Sequence, residues 1–297
     1  MKANRLKRKS FKKTILAAAV VIGGSTLLFQ GLIQAVTAAE FKKTDTVPTS
    51  YANYTASSSK AAQKSLPAGY KKANYTVGEI DLESYRSQKP TSKDMTKEAA
   101  AEIGAQALWE IFDLNLEGRV IEMGYNEANE NLPRSRWYAD VHINDKLSYF
   151  FEVDSVTGEL FGIGRSRTLD KQVSLAFDPE LHKKPQEYVE LARKLAEKYN
   201  VVHSPVKSVK YNNQGYMDND PDITMYVTGE NGELATMTFS RYDKALLTIG
   251  YSTPTKHALE SSEKDMKRLQ EKVKELEKSD SPANGNETPF MRVIEMD

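Results

Sequence analysis

A chain of 297 residues has room for two domains of ordinary size, and a hydrophobic share of 39% excludes a wholly disordered protein. Its formal charge of zero is unevenly placed: Lys2, Arg5, Lys7, Arg8, Lys9, Lys12 and Lys13 precede the first apolar run, and the remaining 34 basic residues face 41 acidic ones, leaving the body at −7. An acidic body argues against nucleic acid or anionic lipid as the main partner, since both select basic surfaces. The chain has no cysteine, so thiol chemistry, disulfides and lipid attachment through an N-terminal cysteine are excluded.

After the basic region, residues 14–39 carry no charge and 15–29 are apolar or small throughout, the layout of an export signal. Val36 and Ala38, or Thr37 and Ala39, offer small residues to a signal peptidase, while an uncharged span of 26 residues is also long enough to cross a bilayer. Gln30, Gly31 and Gln34 interrupt the run near its outer end and favour a cleaved signal peptide over a signal anchor. With either, the body is expected outside the cytoplasm, secreted or held to the membrane by residues 14–39, because the basic flank stays inside.

Residues 40–90 are rich in Ser, Ala, Lys, Thr and Tyr without a sustained period, and read as a flexible linker in which only 74–85 could pair as a short strand. Thr96 then caps a helix running to Phe112, with Ala100, Ile103, Ala107 and Ile111 at spacings of three and four. Strands are expected over 119–125, 135–143 and 147–154. In the second, Trp137, Ala139, Val141 and Ile143 share a face, and Asn144-Asp-Lys146 makes a short hairpin connection. In the third, Leu147, Tyr149, Phe151 and Val153 alternate with Ser148, Phe150, Glu152 and Asp154. Asp154-Ser-Val-Thr-Gly158 reads as a turn, because Asp154 can accept from the backbone two residues on and Gly158 tolerates positive φ. A fourth strand, 160–165, follows.

A Val-Asp-x-x-Thr-Gly-Glu-Leu turn after an aromatic strand, over Val153 to Leu160, resembles the signature end of a PepSY domain, the small α+β module of metalloprotease propeptides and bacterial surface proteins. Met95-Thr-Lys-Glu-Ala-Ala100 resembles the opening of a PepSY helix. The pattern then repeats. Pro185 suits a first helical turn, Tyr188, Leu191, Leu195 and Tyr199 form a stripe, and a strand over 206–211 follows. The later strands superpose on the first copy at a constant offset of 86 residues: Trp137 on Ile223, Ala139 on Met225, Val141 on Val227, Phe151 on Met237, Val153 on Phe239, Leu160 on Leu246 and Ile163 on Ile249. The second copy departs at the turn, where Ser240-Arg-Tyr-Asp-Lys244 stands in place of Asp154-Ser-Val-Thr-Gly158. The resemblance, covering about 91–251, implies an α+β fold of two tandem modules, 91–168 and a divergent 185–255, each one helix on a small antiparallel sheet, joined by a linker over 169–184. At about 75 residues each module would be marginal alone, so a shared interface is expected.

Residues 256–279 read as a charged amphipathic helix, with Leu259, Met266, Leu269, Val273 and Leu276 at a and d positions of a short coiled-coil pattern and Ser262 at another. Packing back onto a domain is the favoured role over dimerisation. Residues 280–297, rich in Asn, Pro, Gly and Ser before a short apolar end, read as a disordered tail.

No constellation of chemistry stands out. The four histidines, His142, His182, His203 and His257, lack the spacing of a zinc helix. Asp113-Leu-Asn115-Leu-Glu117-Gly118 matches the first half of a calcium loop, but Gly124 stands where its bidentate glutamate is required, so a helix-to-strand loop is the better account. Asp218-Asn-Asp220-Pro-Asp222 has Ile223 where the calcium-loop glycine belongs, and reads as a polar loop before a strand. Trp109, Trp137, Tyr149 and Phe150 are expected in the core. No catalytic, metal-ligating or cofactor-binding residue is assigned, no cofactor is expected, and the chain is expected not to be an enzyme. The resemblance implies that such a module, with no peptidase attached, binds a peptidase or cell-wall enzyme in trans. A structural or sensory spacer of the cell envelope is the alternative, and a wall-active hydrolase using an Asp/Glu pair a distant third.

Overall fold

The computed structural model describes residues 66–279 apart from 131, and the side chains of 274 and 276–279 are left aside. The expected export segment, most of the 40–90 linker and the C-terminal tail lie outside the described residues. Among the described residues no helix is long and apolar enough to cross a membrane.

In chain order the elements are β1 (Thr76–Glu79), α1 (Glu83–Arg86), α2 (Lys97–Phe112), β2 (Val120–Asn126), β3 (Arg136–Asn144), β4 (Leu147–Asp154), β5 (Leu160–Arg167), α3 (Pro179–Lys183), α4 (Gln186–Lys198), β6 (Val206–Met217), β7 (Asp220–Gly229), β8 (Leu234–Ser240), β9 (Leu246–Gly250) and α5 (Ser252–Ser279). The nine strands of the described residues form one sheet, in the order β1-β2-β3-β4-β5-β9-β8-β7-β6. Among the described strands only the β1–β2 pair is parallel.

This corrects the expectation of two tandem modules, each with its own small sheet. β5 pairs antiparallel with β9 through Gly162↔Gly250, Ile163↔Ile249 and Gly164↔Thr248, which fuses a five-stranded first half and a four-stranded second half into a single mixed sheet. One hydrophobic cluster runs through both, from Ala101, Phe151 and Ile163 to Ile249, Met237 and Ala192. Two small sheets would each have left an apolar edge strand facing water, and pairing the last strand of each half removes both edges at once. Residues 66–90, read as part of a flexible linker, supply β1 and α1; residues 169–184, read as a linker, contain α3.

The offset of 86 residues also runs through the pairing of β3, β4 and β5 with one another and of β7, β8 and β9, whereas the first strands differ by two residues, Met123↔Ala139 being matched by Tyr211↔Met225. Trp137↔Val153 and Ala139↔Phe151 in the first half match Ile223↔Phe239 and Met225↔Met237 in the second, and the β-bulge between Glu152 and Val153 recurs between Thr238 and Phe239.

α2 starts where Thr96 Oγ1 accepts from Ala99 N–H at 3.2 Å and ends at Asp113, whose φ of +53° lets the backbone N–H close the last turn. Its most buried face is not the expected stripe of Ala100, Ile103, Ala107 and Ile111. Ala101, Gly104, Ala105 and Leu108 are buried with Ala100, while Ile103, Ala107 and Ile111 are only partly covered. The helix approaches the sheet on its smallest residues: a Cβ on Gly104 would lie 2.2 Å from the Phe151 ring. α4 does the same, burying Tyr188, Ala192 and Ala196 and leaving Leu191, Leu195 and Tyr199 at the margin.

The chain divides into two compact units between Leu259 and Glu260. The first turns of α5 belong to the first unit, where Leu259 packs with Tyr226 and Leu234 away from the main cluster. From Glu260 the helix continues as the second unit.

Candidate interaction surface

The start of the signature turn is buried and the rest of it is partly exposed. Asp154 and Ser155 are 0% exposed, and Asp154 Oδ1 accepts from the N–H groups of Val156 and Thr157 at 2.9 and 2.7 Å, the turn expected from its sequence. Gly158 has φ +74°, and the space a Cβ would enter is bounded by Ile103 and Met95.

The other carboxylate oxygen has a partner that the sequence reading missed. Arg134, 1% exposed in the loop before β3, donates from Nε to Asp154 Oδ2 at 2.7 Å and from Nη1 to Glu159 Oε2 at 2.9 Å. It also reaches Thr157 and, 119 residues on, Thr253 at the start of α5, and its guanidinium lies over the Phe161 ring at 5.0 Å. Thr253 Oγ1 in turn donates to Glu159 at 2.6 Å.

On the other side of the turn, Asp94 accepts from Ser135, Ser155, Thr91 and Tyr125 hydroxyls. Burial alone would raise its carboxyl, but the hydrogen bonds from Ser155, Thr91 and Ser135 outweigh it and hold the group at about 2. The Val-Asp-x-x-Thr-Gly-Glu-Leu pattern is therefore a fastener joining the segment before α2, the start of β3 and the start of α5.

The second half carries an inverted version. Position 220, which stands 86 residues after Arg134, is Asp220, 1% exposed; its Oδ1 accepts from Ser240 Oγ and its Oδ2 from Arg167 Nε at 2.7 Å. Arg167, at the end of β5, also grips Asp243 through both terminal nitrogens at 2.8 and 2.7 Å. The Asp243 carboxyl is held at about 2, chiefly by Arg167. Asp218 and Asn219, expected in a polar loop, make the tight β6–β7 connection with Asp218 at φ +54°, while Asp220 and Asp222 lie within β7. Burial pushes the Asp222 carboxyl up, although the Gly215 N–H pulls the other way.

The remaining sequence candidates are dispersed. His142 is exposed near Glu122, His203 meets Glu233 at 3.1 Å, His257 faces the Glu130 carbonyl, and His182 packs on Tyr211 with ring centres 4.9 Å apart. Among the described residues no group of three His, Asp or Glu is placed to hold a metal ion. In the calcium-like loop, Asn115 Oδ1 accepts from Glu117 N–H, Glu117 accepts from Asn74 N–H and Gly118 has φ +69°, so the side chains serve a helix-to-strand connection. Trp137 and Tyr149 are buried; Trp109 and Phe150 are half-buried at the margin. A recess lined by Tyr70, Ala73, Ala105, Trp109 and Leu116 has room for about 10 Å³, a single water-sized group, far below the roughly 300–1,000 Å³ of small-molecule sites.

The largest backbone surface on offer is the edge at β6. With 12 residues it is the longest strand and lies at the end of the sheet. Among the described residues, no backbone-to-backbone hydrogen bond reaches its outer side between 207 and 217. Past Asn213 the neighbouring loop closes over it through side chains: Gln214 exchanges hydrogen bonds with the Asp178 backbone at 2.9 and 2.8 Å, and Arg241 donates to Gln214 and to the Ala176 carbonyl. Leu175, Phe177, Tyr216 and Tyr242, all exposed and apolar, are carried next to this junction. The chain matches no family model, no curated protein and no solved structure to which it was compared.

Proposed function

We propose that the protein is an extracytoplasmic, non-catalytic binding protein that restrains or positions another protein, a secreted or membrane-bound peptidase or a cell-wall enzyme. The observation that carries this reading is the outer edge of β6 ahead of Asn213, a short row of backbone donors and acceptors at the end of the sheet, next to the junction that carries exposed Leu175, Phe177, Tyr216 and Tyr242. Sheet edges bind extended segments through the main chain, with flanking apolar side chains adding contact area. The class of partner rests on the resemblance of the turn at Asp154 to Leu160 to the PepSY signature, whose family members restrain or assist peptidases. The burial of Asp154 and Ser155 at its start fits a signature kept for folding, with recognition placed elsewhere on the molecule.

The test is cross-linking in intact cells followed by affinity recovery of the full chain. A peptidase or wall enzyme is expected among the recovered proteins, with secreted-protease activity altered when the gene is deleted. Recovery of no protein partner, together with undisturbed activity, refutes the reading and leaves a spacer of the cell envelope.

A further inference from the structure

We infer that α5 pairs with α5 of a second copy of this chain, in parallel and in register, through Met266, Leu269, Val273 and Leu276. The inference goes beyond the binding reading and does not rest on it. Of the five apolar residues at coiled-coil spacing in this helix, Leu259 is already covered: it is 6% exposed and packs with Tyr226 and Leu234. Beyond it α5 continues to Ser279 with its apolar stripe open. Leu269 is 51% and Val273 47% exposed, and Met266 is only partly covered. Apolar residues alternating at three and four along a charged helix form the seam of a coiled coil.

The residue types select the number of strands. Met266 and Val273 fall at a positions, Leu269 and Leu276 at d, and a β-branched residue at a with leucine at d favours two parallel helices. The stretch 260–279 contains no aromatic residue and mixes acidic with basic residues along its length. That suits a mate of the same sequence rather than a lipid surface, where helices carry aromatic anchors.

Charge sets the direction. With the helices parallel, Lys272 at g faces Glu277 at e of the other copy, an attraction made twice by the two-fold symmetry, and Asp265 at g faces the neutral Gln270. With the helices antiparallel and the same four apolar residues in contact, Lys272 would face Lys272 and Glu263 would face Glu277. Only the parallel arrangement places opposite charges across the seam.

The chain has no cysteine, so single-cysteine variants of the full chain report the seam directly. Cells producing Leu269→Cys, washed into low-salt buffer and mildly oxidised, are expected to yield a disulfide-linked dimer, because in parallel register each d residue faces its own copy within bridging distance. Val273→Cys, at a, is expected to do the same, and Glu271→Cys, at f on the far side of the helix, to give little. Adding Lys272→Glu to Leu269→Cys turns both attractions into repulsions and is expected to lower the dimer yield roughly fivefold. Adding Glu277→Lys as well is expected to restore it. Absence of a dimer from both seam cysteines, or an equal yield from Glu271→Cys, overturns the inference. So does a mixture of Leu269→Cys and Val273→Cys chains that links better than either alone, the mark of antiparallel helices. An adduct with a different protein in place of the dimer, or a yield indifferent to Lys272→Glu, overturns it equally.

Discussion

Replacing Arg134 with Met removes the centre of the fastener while keeping most of its aliphatic length. Glu159, 32% exposed at its side chain, can return to water and loses little. Asp154, 0% exposed, cannot: it keeps the Val156 and Thr157 N–H groups but is left an uncompensated buried charge. Removing one member of a buried pair costs about 3–5 kcal/mol, a large part of the about 5–15 kcal/mol that holds a domain folded. Asp154→Asn should cost less, because its Oδ1 still accepts from the turn and Arg134 keeps Glu159. The double variant Arg134→Met/Asp154→Asn leaves no buried charge, so the two losses should fall short of additivity by about 1–3 kcal/mol. Urea unfolding followed by circular dichroism measures all four corners of the cycle. The deficit should persist in high salt, which screens exposed pairs far more than buried ones. A loss below about 1 kcal/mol for Arg134→Met, or additivity within about 0.5 kcal/mol, refutes the argument that Asp154 depends on this guanidinium.

Gly104→Ala tests the close approach of α2: helix propensity alone would gain about 1 kcal/mol, but the new Cβ would meet the wholly buried Phe151 ring at 2.2 Å. A net loss of about 1–3 kcal/mol and a lower melting temperature are expected, and an unchanged or raised melting temperature would refute the contact. Arg167→Met strands Asp220, 1% exposed, with Ser240 as its remaining side-chain donor, and should cost about 2–4 kcal/mol in urea unfolding; a loss no larger than that of an exposed ion pair would count against it. Asp94 and Asp243, both held at about 2 in the folded protein, have depressed values, so the stability they contribute is complete above the unfolded value of about 4 and is lost as pH falls through about 2. The urea midpoint should decline across that window and decline less steeply in Asp94→Asn/Asp243→Asn; equal slopes would show that neither group is coupled to folding.

Much of the local structure was legible in the residues. Period-two alternation located β3 and β4, Thr96 marked the start of α2, and Asp154 with Gly158 marked the turn ahead of β5, because each depends on neighbours within a few positions. The offset of 86 was legible as well, since a register kept in phase over many residues leaves a trace in the side chains themselves. Three things were decided only in the tertiary structure. Fusion of the halves at Ile163↔Ile249 depends on strands 86 residues apart, and an apolar strand reads alike whether its neighbour belongs to its own half or to the other. The helix faces were misjudged because hydrophobicity ranks Ile103 and Leu191 above Gly104 and Ala192, whereas the closest approach of two backbones selects the smaller side chains. Arg134 carried no signal of its burial. It lies in a loop 20 residues before Asp154 and 119 before Thr253, and only folding brings those partners within hydrogen-bonding distance, while the open edge of β6 exists only because α3 and the chain ahead of α4 turn away from the place that β1 fills on the other half.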